Sequence, residues 1–151
     1  MVKSLDALFM EEALQQAKLA QEAGEVPIGA VLVKDHQIIA ASGNETERAS
    51  DPTAHAEIQV LRKAGAILKE PRLVDCDVYV TLEPCPMCAQ ALSFARVRRL
   101  YFGAYDPKGG GIDHGPRLFT HSTCHWRPEV YGGLLEDVCG ALLVDFFQKK
   151  R

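Results

Sequence analysis

The 151-residue chain is 47% hydrophobic and 25% charged, ordinary values for a folded protein that can bury a core. Its formal net charge of -3 argues against indiscriminate binding to nucleic acids, although it leaves room for a local basic patch. The apolar stretches are too short to span a membrane, and the acidic N-terminal segment does not resemble a signal peptide. We therefore expect a cytoplasmic protein without membrane association, folded as a single domain over residues 1–151.

Hydrophobic spacing predicts a helix, a hairpin and a second helix in the first half of the chain. The first helix and the two hairpin strands are predicted at Leu5–Ala23, Val26–Val33 and Gln37–Ser42. A polar loop follows at Gly43–Pro52, and cap-type residues place the start of the second helix near Thr53. Its apolar periodicity runs to about Ala64, where Gly65 can end the helix.

Strands and helices alternate in the second half of the chain. The predicted elements are the strand Asp77–Leu82, the helix Met87–Ala95, the strand Arg99–Gly103 and a helix from about Leu134. The segment Asp106–Arg127 is predicted to be irregular. In the last helix, one apolar stripe comprises Leu134, Leu135, Val138, Leu142 and Phe146. This order of elements indicates an α/β fold in which helices cover a sheet.

Cys85 and Cys88 open the predicted helix that follows the strand Asp77–Leu82. The chain has five cysteines, an odd count that disfavours a disulfide framework. Residues three positions apart in a first helical turn can reach one metal ion from the same side, and a helix N-terminus favours thiolates. A metal pair is therefore a better interpretation than a redox dithiol, whose usual sequence context differs.

His55 and Glu57 stand at the start of the second predicted helix and complete a possible catalytic site. A catalytic zinc site uses three protein ligands and leaves a fourth position for water. In a first turn that faces the metal, His55 can be the third ligand while Glu57 reaches the open position as a general acid and base. Considered alone, a histidine such as His55 is more often an ordinary polar residue at a helix start than a metal ligand. Considered alone, Glu57 can be explained as the glutamate of a capping box.

A closed structural zinc site is the main rival interpretation. Cys85 and Cys88 could be joined by His121 and Cys124, whose spacing suits zinc ligands. The protein would then be a non-catalytic binding module. That arrangement leaves His55 and Glu57 unexplained and offers no open position for chemistry.

The motifs HAE (His55–Glu57) and PCPMC (Pro84–Cys88), about thirty residues apart, resemble the signature of the zinc-dependent nucleoside and nucleobase deaminases. Within that superfamily the chain looks like the bacterial tRNA-specific adenosine deaminases. The similar segments are Glu25–Val33, Asn44, Asp51–Ile58, Tyr79–Cys88, Phe102–Gly110 and Asp145–Phe147. The stretch Gly111–Gly133 departs from the family pattern.

The resemblance implies a three-layer α-β-α sandwich with a mixed five-stranded sheet, the cytidine deaminase-like fold, in a homodimer. It also implies one zinc ion per subunit held by His55, Cys85 and Cys88, with Glu57 as the catalytic proton shuttle. The implied reaction is hydrolytic deamination of adenosine to inosine at wobble position 34 of tRNA, with attack by zinc-activated water on C6 of adenine. The implied partner is the tRNA anticodon stem-loop.

Further residues are expected to contact the substrate. By resemblance, the side chain of Asn44 and the backbone N–H of Ala56 hold the base, while Asp106 and Lys108 touch the RNA backbone. Asn44 could instead be a loop residue that satisfies its own backbone. Phe147 falls about 100° off the apolar stripe of the last helix and is a candidate for contact with a partner.

A second substrate class stays open at this point. The two motifs also occur in deaminases of free bases or nucleosides, such as guanine or cytosine. The near-neutral charge and the altered stretch Gly111–Gly133 favour that alternative. His114, His121 and His125 receive no role from the sequence.

Overall fold

A computed structural model describes residues 3–150, so Met1, Val2 and Arg151 of the predicted domain lie outside the described residues. In chain order the helices are α1 (Leu5–Glu22), α2 (Ala56–Leu68), α3 (Pro86–Ala95) and α4 (Glu136–Lys149). The strands are β1 (Gly29–Lys34), β2 (Gln37–Gly43), β3 (Cys76–Leu82), β4 (Arg99–Ala104) and β5 (Glu129–Gly132). A short 3-10 turn, Leu118–Thr120, interrupts the long connection between β4 and β5.

The five strands form one mixed sheet in the order β2-β1-β3-β4-β5. Strand β1 is antiparallel to both of its neighbours, whereas β3, β4 and β5 run parallel to one another. Helices α2 and α3 cover one face, and α1 and α4 cover the other. The prediction of a three-layer α-β-α sandwich with a mixed five-stranded sheet is therefore confirmed.

The central strands are buried on both faces, as expected for strands between two helical layers. In β3, Val78 and Val80 pack against α2 and α3, while Tyr79 faces α1. Gly29 at the start of β1 is needed for close packing, because a Cβ there would lie 2.1 Å from the backbone oxygen of Ala13 in α1. Packing between the layers thus fixes the position of the C-terminal end of β3 and of the starts of α2 and α3.

The start and end of α2 differ from the prediction. The Asp51 carboxylate accepts hydrogen bonds from the N–H and hydroxyl of Thr53, which makes a turn ahead of the helix instead of its cap. The helix begins at Ala56, with His55 extended at the N-cap position. Gly65 does not end it, because the helix continues to Leu68 and closes at Lys69 in a left-handed conformation.

Strand β5 was absent from the prediction based on hydrophobic spacing, although the family resemblance implied five strands. It has only four residues and lies at the sheet edge, so it lacks the apolar alternation of a buried strand. Pairing with β4 holds it in place, and Tyr131 stacks on Tyr101 with ring centroids 5.0 Å apart.

The C-terminal helix only partly follows the predicted stripe. Phe146 is buried as expected, whereas Val138 is 53% exposed and does not face the core. Phe147 is 51% exposed, as its position off the stripe indicated. Across residues 3–150, no helix combines the length and the hydrophobicity that crossing a membrane requires.

Candidate metal centre

The starts of α2 and α3 meet and bring three candidate metal ligands together. His55 occupies the N-cap position of α2, Cys85 occupies that of α3, and Cys88 lies in the first turn of α3. The Nδ1 atom of His55 lies 3.6 Å from Sγ of Cys85 and 3.4 Å from Sγ of Cys88. All three ligand atoms lie within 4.8 Å of one another. The cluster is therefore assembled by two helix starts rather than by a flexible loop.

The donor set and its spacing fit zinc. One imidazole nitrogen and two cysteine sulfurs are typical zinc ligands, and such atoms at tetrahedral angles around zinc lie about 3.6 Å apart. Hydrogen bonds from Cys88 and His55 lower the pKa of the Cys85 thiol to about 4, so this sulfur is anionic near neutral pH. The Cys88 thiol, which hydrogen-bonds to Cys85 and is buried, has a raised pKa. The cluster thus offers one thiolate and one thiol whose proton a cation can replace.

Glu57 lies in the first turn of α2 with only 4% of its surface exposed. Burial raises the pKa of its carboxyl group to about 7, and its neighbours include Cys85, His55 and Cys88. The side chain is thus placed beside the ligand cluster, as expected for a group that moves protons there.

The rival closed site is not assembled. Cys124 is buried and contacts Ser93 Oγ at 3.4 Å and the backbone oxygen of Trp126 at 3.3 Å. The Nε2 atom of His121 lies 2.5 Å from the backbone oxygen of Pro116. Among residues 3–150, the grouping of His, Cys, Asp or Glu side chains that could hold a metal is His55, Cys85 and Cys88. His121 and Cys124 therefore have local partners instead.

Ala56 is the first residue of α2, and Asn44 precedes Glu45, whose backbone N–H donates to the backbone oxygen of Ala54 just ahead of that helix. Asn44 is 95% buried, its backbone N–H donates to Ile28, and its backbone oxygen accepts from the Arg48 guanidinium. Within residues 3–150 its side-chain amide makes no hydrogen bond, so it does not satisfy its own backbone as the alternative required. The N–H of Ala56 is the first of α2 and has no partner within the helix.

The remaining predicted contact residues lie in two other places. Asp106 follows β4, and its carboxylate accepts the N–H groups of Lys108 and Gly109 at 3.2 and 3.0 Å, which closes a turn. Lys108 itself is exposed. Phe147 lies on α4, across the sheet from α2 and α3, and is not part of the ligand cluster. Its ring packs edge-on against Phe146.

Two buried carboxylates were not identified as site components from the sequence. Glu25 accepts the N–H groups of Glu47 and Arg48 at 3.0 and 2.8 Å and pairs with the Arg48 guanidinium. Glu83 accepts several N–H groups from the connection that follows β4. In the sequence, Glu25 precedes an apolar strand and Glu83 precedes a proline. Neither context indicates which distant groups the carboxylate contacts.

The chain is similar in sequence to known zinc-binding deaminases. Residues 3–104 match the family model of the cytidine and deoxycytidylate deaminase zinc-binding region. The tRNA-specific adenosine deaminase of Agrobacterium fabrum is 57% identical over 143 residues, which are 95% of this chain and 94% of that protein.

Two solved structures are also similar. One, from a study of A-to-I editing by tRNA:A34 deaminases at the wobble position of transfer RNA, has a TM-score of 0.89 and 57% identity. That match covers 90% of this chain and 99% of the other. A guanine deaminase from Bacillus subtilis has a TM-score of 0.63 and 41% identity, over 65% and 63% of the two chains.

Proposed function

Because the chain belongs to the zinc-binding cytidine and deoxycytidylate deaminase family, we propose that it converts adenosine to inosine at wobble position 34 of tRNA. One observation carries this proposal. His55, Cys85 and Cys88 converge beside the buried Glu57, in a chain that is similar over nearly its whole length to tRNA-specific adenosine deaminases. The protein is a hydrolase of the zinc-dependent deaminase class.

In this proposal His55, Cys85 and Cys88 hold one zinc ion per subunit. When bound, zinc acts as a Lewis acid that makes a water molecule reactive at neutral pH. The Glu57 carboxylate takes a proton from the attacking water and delivers it to N1 of adenine while the water oxygen bonds to C6. Glu57 then moves the second water proton to the exocyclic nitrogen. The C6–N bond breaks, and inosine and ammonia are released.

The substrate contacts in this proposal are those that the family resemblance indicated. The free side-chain amide of Asn44 and the N–H of Ala56 are suited to orient the flipped base. Asp106 and Lys108 lie on the connection after β4 and are proposed to contact the RNA backbone beside it. Phe147, half-exposed on α4, is proposed to stack against the RNA farther away.

The proposed partner is the anticodon stem-loop, and the proposed assembly is a cytoplasmic homodimer. A protein whose substrate is tRNA acts where tRNA is present, which supports the cytoplasm. Sedimentation of the purified protein at several concentrations tests the assembly, and a monomer at all concentrations would contradict it.

Deamination of a free base is a second candidate. The 41% identity to the guanine deaminase of Bacillus subtilis favours it, although that similarity covers only 65% of this chain. A free base needs a closed pocket, whereas a stem-loop needs an open rim with exposed contacts such as Lys108 and Phe147.

A direct assay separates the two candidates. The protein is incubated with an anticodon stem-loop that carries adenosine at position 34, and inosine is measured by nucleoside analysis. The matched RNA carries guanosine at position 34, and free guanine and cytosine are tested for ammonia release. We expect inosine from the first RNA alone. Ammonia from a free base without inosine would replace this proposal by the second candidate.

A further inference from the structure

The connection after β4 is hydrogen-bonded to one buried side chain, Glu83, which lies between the end of β3 and the start of α3. One of its carboxylate oxygens, Oε1, accepts the N–H of Asp106 at 3.0 Å. The other, Oε2, accepts the N–H groups of Ile112, Asp113 and His114 at 3.2, 2.9 and 3.1 Å. The two oxygens thus hold both ends of the segment 106–114, which we call the Asp106 loop.

The ring of His114 adds a fifth hydrogen bond. Its Nδ1 atom lies 2.8 Å from Oε1 of Glu83, and because an ionised carboxylate only accepts hydrogen bonds, Nδ1 carries the proton. The Glu83 side chain has no exposed surface, whereas that of His114 is one-third exposed. A buried carboxylate is costly unless its oxygens are well paired, so these five donors compensate the burial of Glu83.

Close packing joins the same loop to the first ligand-bearing turn of α3. A Cβ at Gly110 would lie 2.4 Å from Oε2 of Glu83, and one at Gly111 would lie 2.7 Å from the backbone nitrogen of Pro86. The N–H of Gly111 also donates to the backbone oxygen of Pro84 at 2.8 Å. Pro84 and Pro86 flank Cys85, so the loop is seated against the turn that presents this candidate ligand.

We propose that Glu83 and His114 are a positioning pair that sets the distance between the Asp106 loop and the metal centre, and so places Asp106 and Lys108 for the RNA. In this proposal neither side chain contacts the substrate itself. The inference rests on the proposed function and deepens it, because it assigns a role to a histidine that the sequence left without one. It also explains how the irregular segment after β4 is held in place.

The test compares two replacements of His114. His114→Ala removes the ring but keeps the backbone N–H, whereas His114→Asn places an amide N–H near the position of Nδ1. Kinetics are measured with the adenosine-34 stem-loop, and zinc content and the thermal midpoint are recorded for each variant. The matched control is His121→Ala, since that ring contacts the backbone of Pro116 and not Glu83.

We expect His114→Ala to raise KM about tenfold, the effect of losing one hydrogen bond to a charged group. The value of kcat should change less than about twofold, since Glu57 and the ligands keep their places. His114→Asn should restore most of the loss, and His121→Ala should behave as the unaltered protein. A purely structural role would instead lower kcat, zinc content and the thermal midpoint together in both His114 variants. That result, or unchanged kinetics in His114→Ala, would overturn the inference.

Amide hydrogen exchange separates this inference from the proposed function. The N–H groups of Ile112 and Asp113 should exchange faster in His114→Ala than in the unaltered protein, while those of α3 should not change. If the unaltered protein makes no inosine, the proposed function fails, and the exchange rates still decide whether His114 holds the loop. If inosine forms and neither the exchange rates nor KM change, the positioning pair alone is wrong.

Discussion

The helix starts and the loops around the candidate site are positioned by different means. His55, Cys85 and Cys88 are placed by the backbone at the starts of α2 and α3, which the sequence predicted to within about three residues. The loops that carry Asn44 and Asp106 are placed by distant buried carboxylates, Glu25 and Glu83. The candidate metal ligands thus depend on helix starts, whereas the positions of the two loops depend on buried carboxylates.

The largest expected loss of activity comes from a substitution at the start of a helix, at Glu57. Glu57→Gln removes the proton-transfer group and keeps the shape of the side chain. We expect inosine formation to fall by about 10³-fold or more, with zinc content unchanged. Single-turnover kinetics and metal analysis of the same preparation test this. Residual activity within tenfold of the unaltered protein would show that another group moves the proton.

Replacing a ligand should remove the metal itself. His55→Ala should lower zinc content from one ion per chain to a small fraction and abolish turnover, because two remaining ligands hold zinc poorly. His121→Ala is the control and should keep its zinc, because its ring lies against Pro116 in the structure. The opposite pattern, with zinc lost only in His121→Ala, would restore the closed structural site.

Gly111→Ala tests how closely the Asp106 loop must pack against the start of α3. The new Cβ would lie 2.7 and 2.8 Å from backbone atoms of Pro86, which cannot move without displacing Cys85. We expect a loss of about 1–3 kcal/mol in the free energy of unfolding, measured with urea, together with a raised KM. Gly140→Ala is the matched control, since its Cβ would meet Ala104 at 3.9 Å within α4. That control should be neutral or slightly stabilising.

The smallest expected effect is on stability, from a substitution of Glu25, and its size depends on pH. Burial acts to raise the pKa of Glu25, but hydrogen bonds from the N–H groups of Arg48 and Glu47 and the Arg48 guanidinium keep it below its ordinary value. Its stabilising contribution is therefore present above the pKa of the unfolded chain, about 4.3, and is lost as pH falls through the lower folded value.

Glu25→Gln should lower the thermal midpoint at pH 7 and reduce its further fall below about pH 4. Thermal melts between pH 3 and 7 measure both effects. A variant that loses stability in parallel with the unaltered protein at every pH would show that Glu25 keeps its ordinary pKa in the fold.

The sequence predicted the ligand helices better than the loops, and the reason is physical. The cysteines follow a strand of β-branched residues and open an apolar helix, so spacing alone located them. The end of α2 was misplaced because Gly65 is tolerated inside a packed helix, where tertiary contacts outweigh its low propensity. Strand β5 escaped detection because its pairing with β4 depends on residues about thirty positions away.

Glu83 shows why the rest of the site could not be predicted. Glu83 follows β3 and precedes Pro84, and nothing in this local pattern indicates which groups it contacts. Its partners lie up to 31 residues away, and local spacing carries no information on such contacts. The same holds for His114, whose role depends on the position of the loop and not on its neighbours in the chain.

The convergence of two helix starts has a consequence for the unfolded chain. His55 and Cys88 are separated by 33 positions, so a zinc ion that bonds to both closes a long loop. By the chain-entropy estimate used for covalent cross-links, closing a loop of this size destabilises the unfolded state by about 4 kcal/mol. The metal would then act as a cross-link between α2 and α3, the two helices on one face of the sheet. A chelator should lower the thermal midpoint even of the inactive Glu57→Gln variant, which separates the mechanical role of the metal from its chemical one.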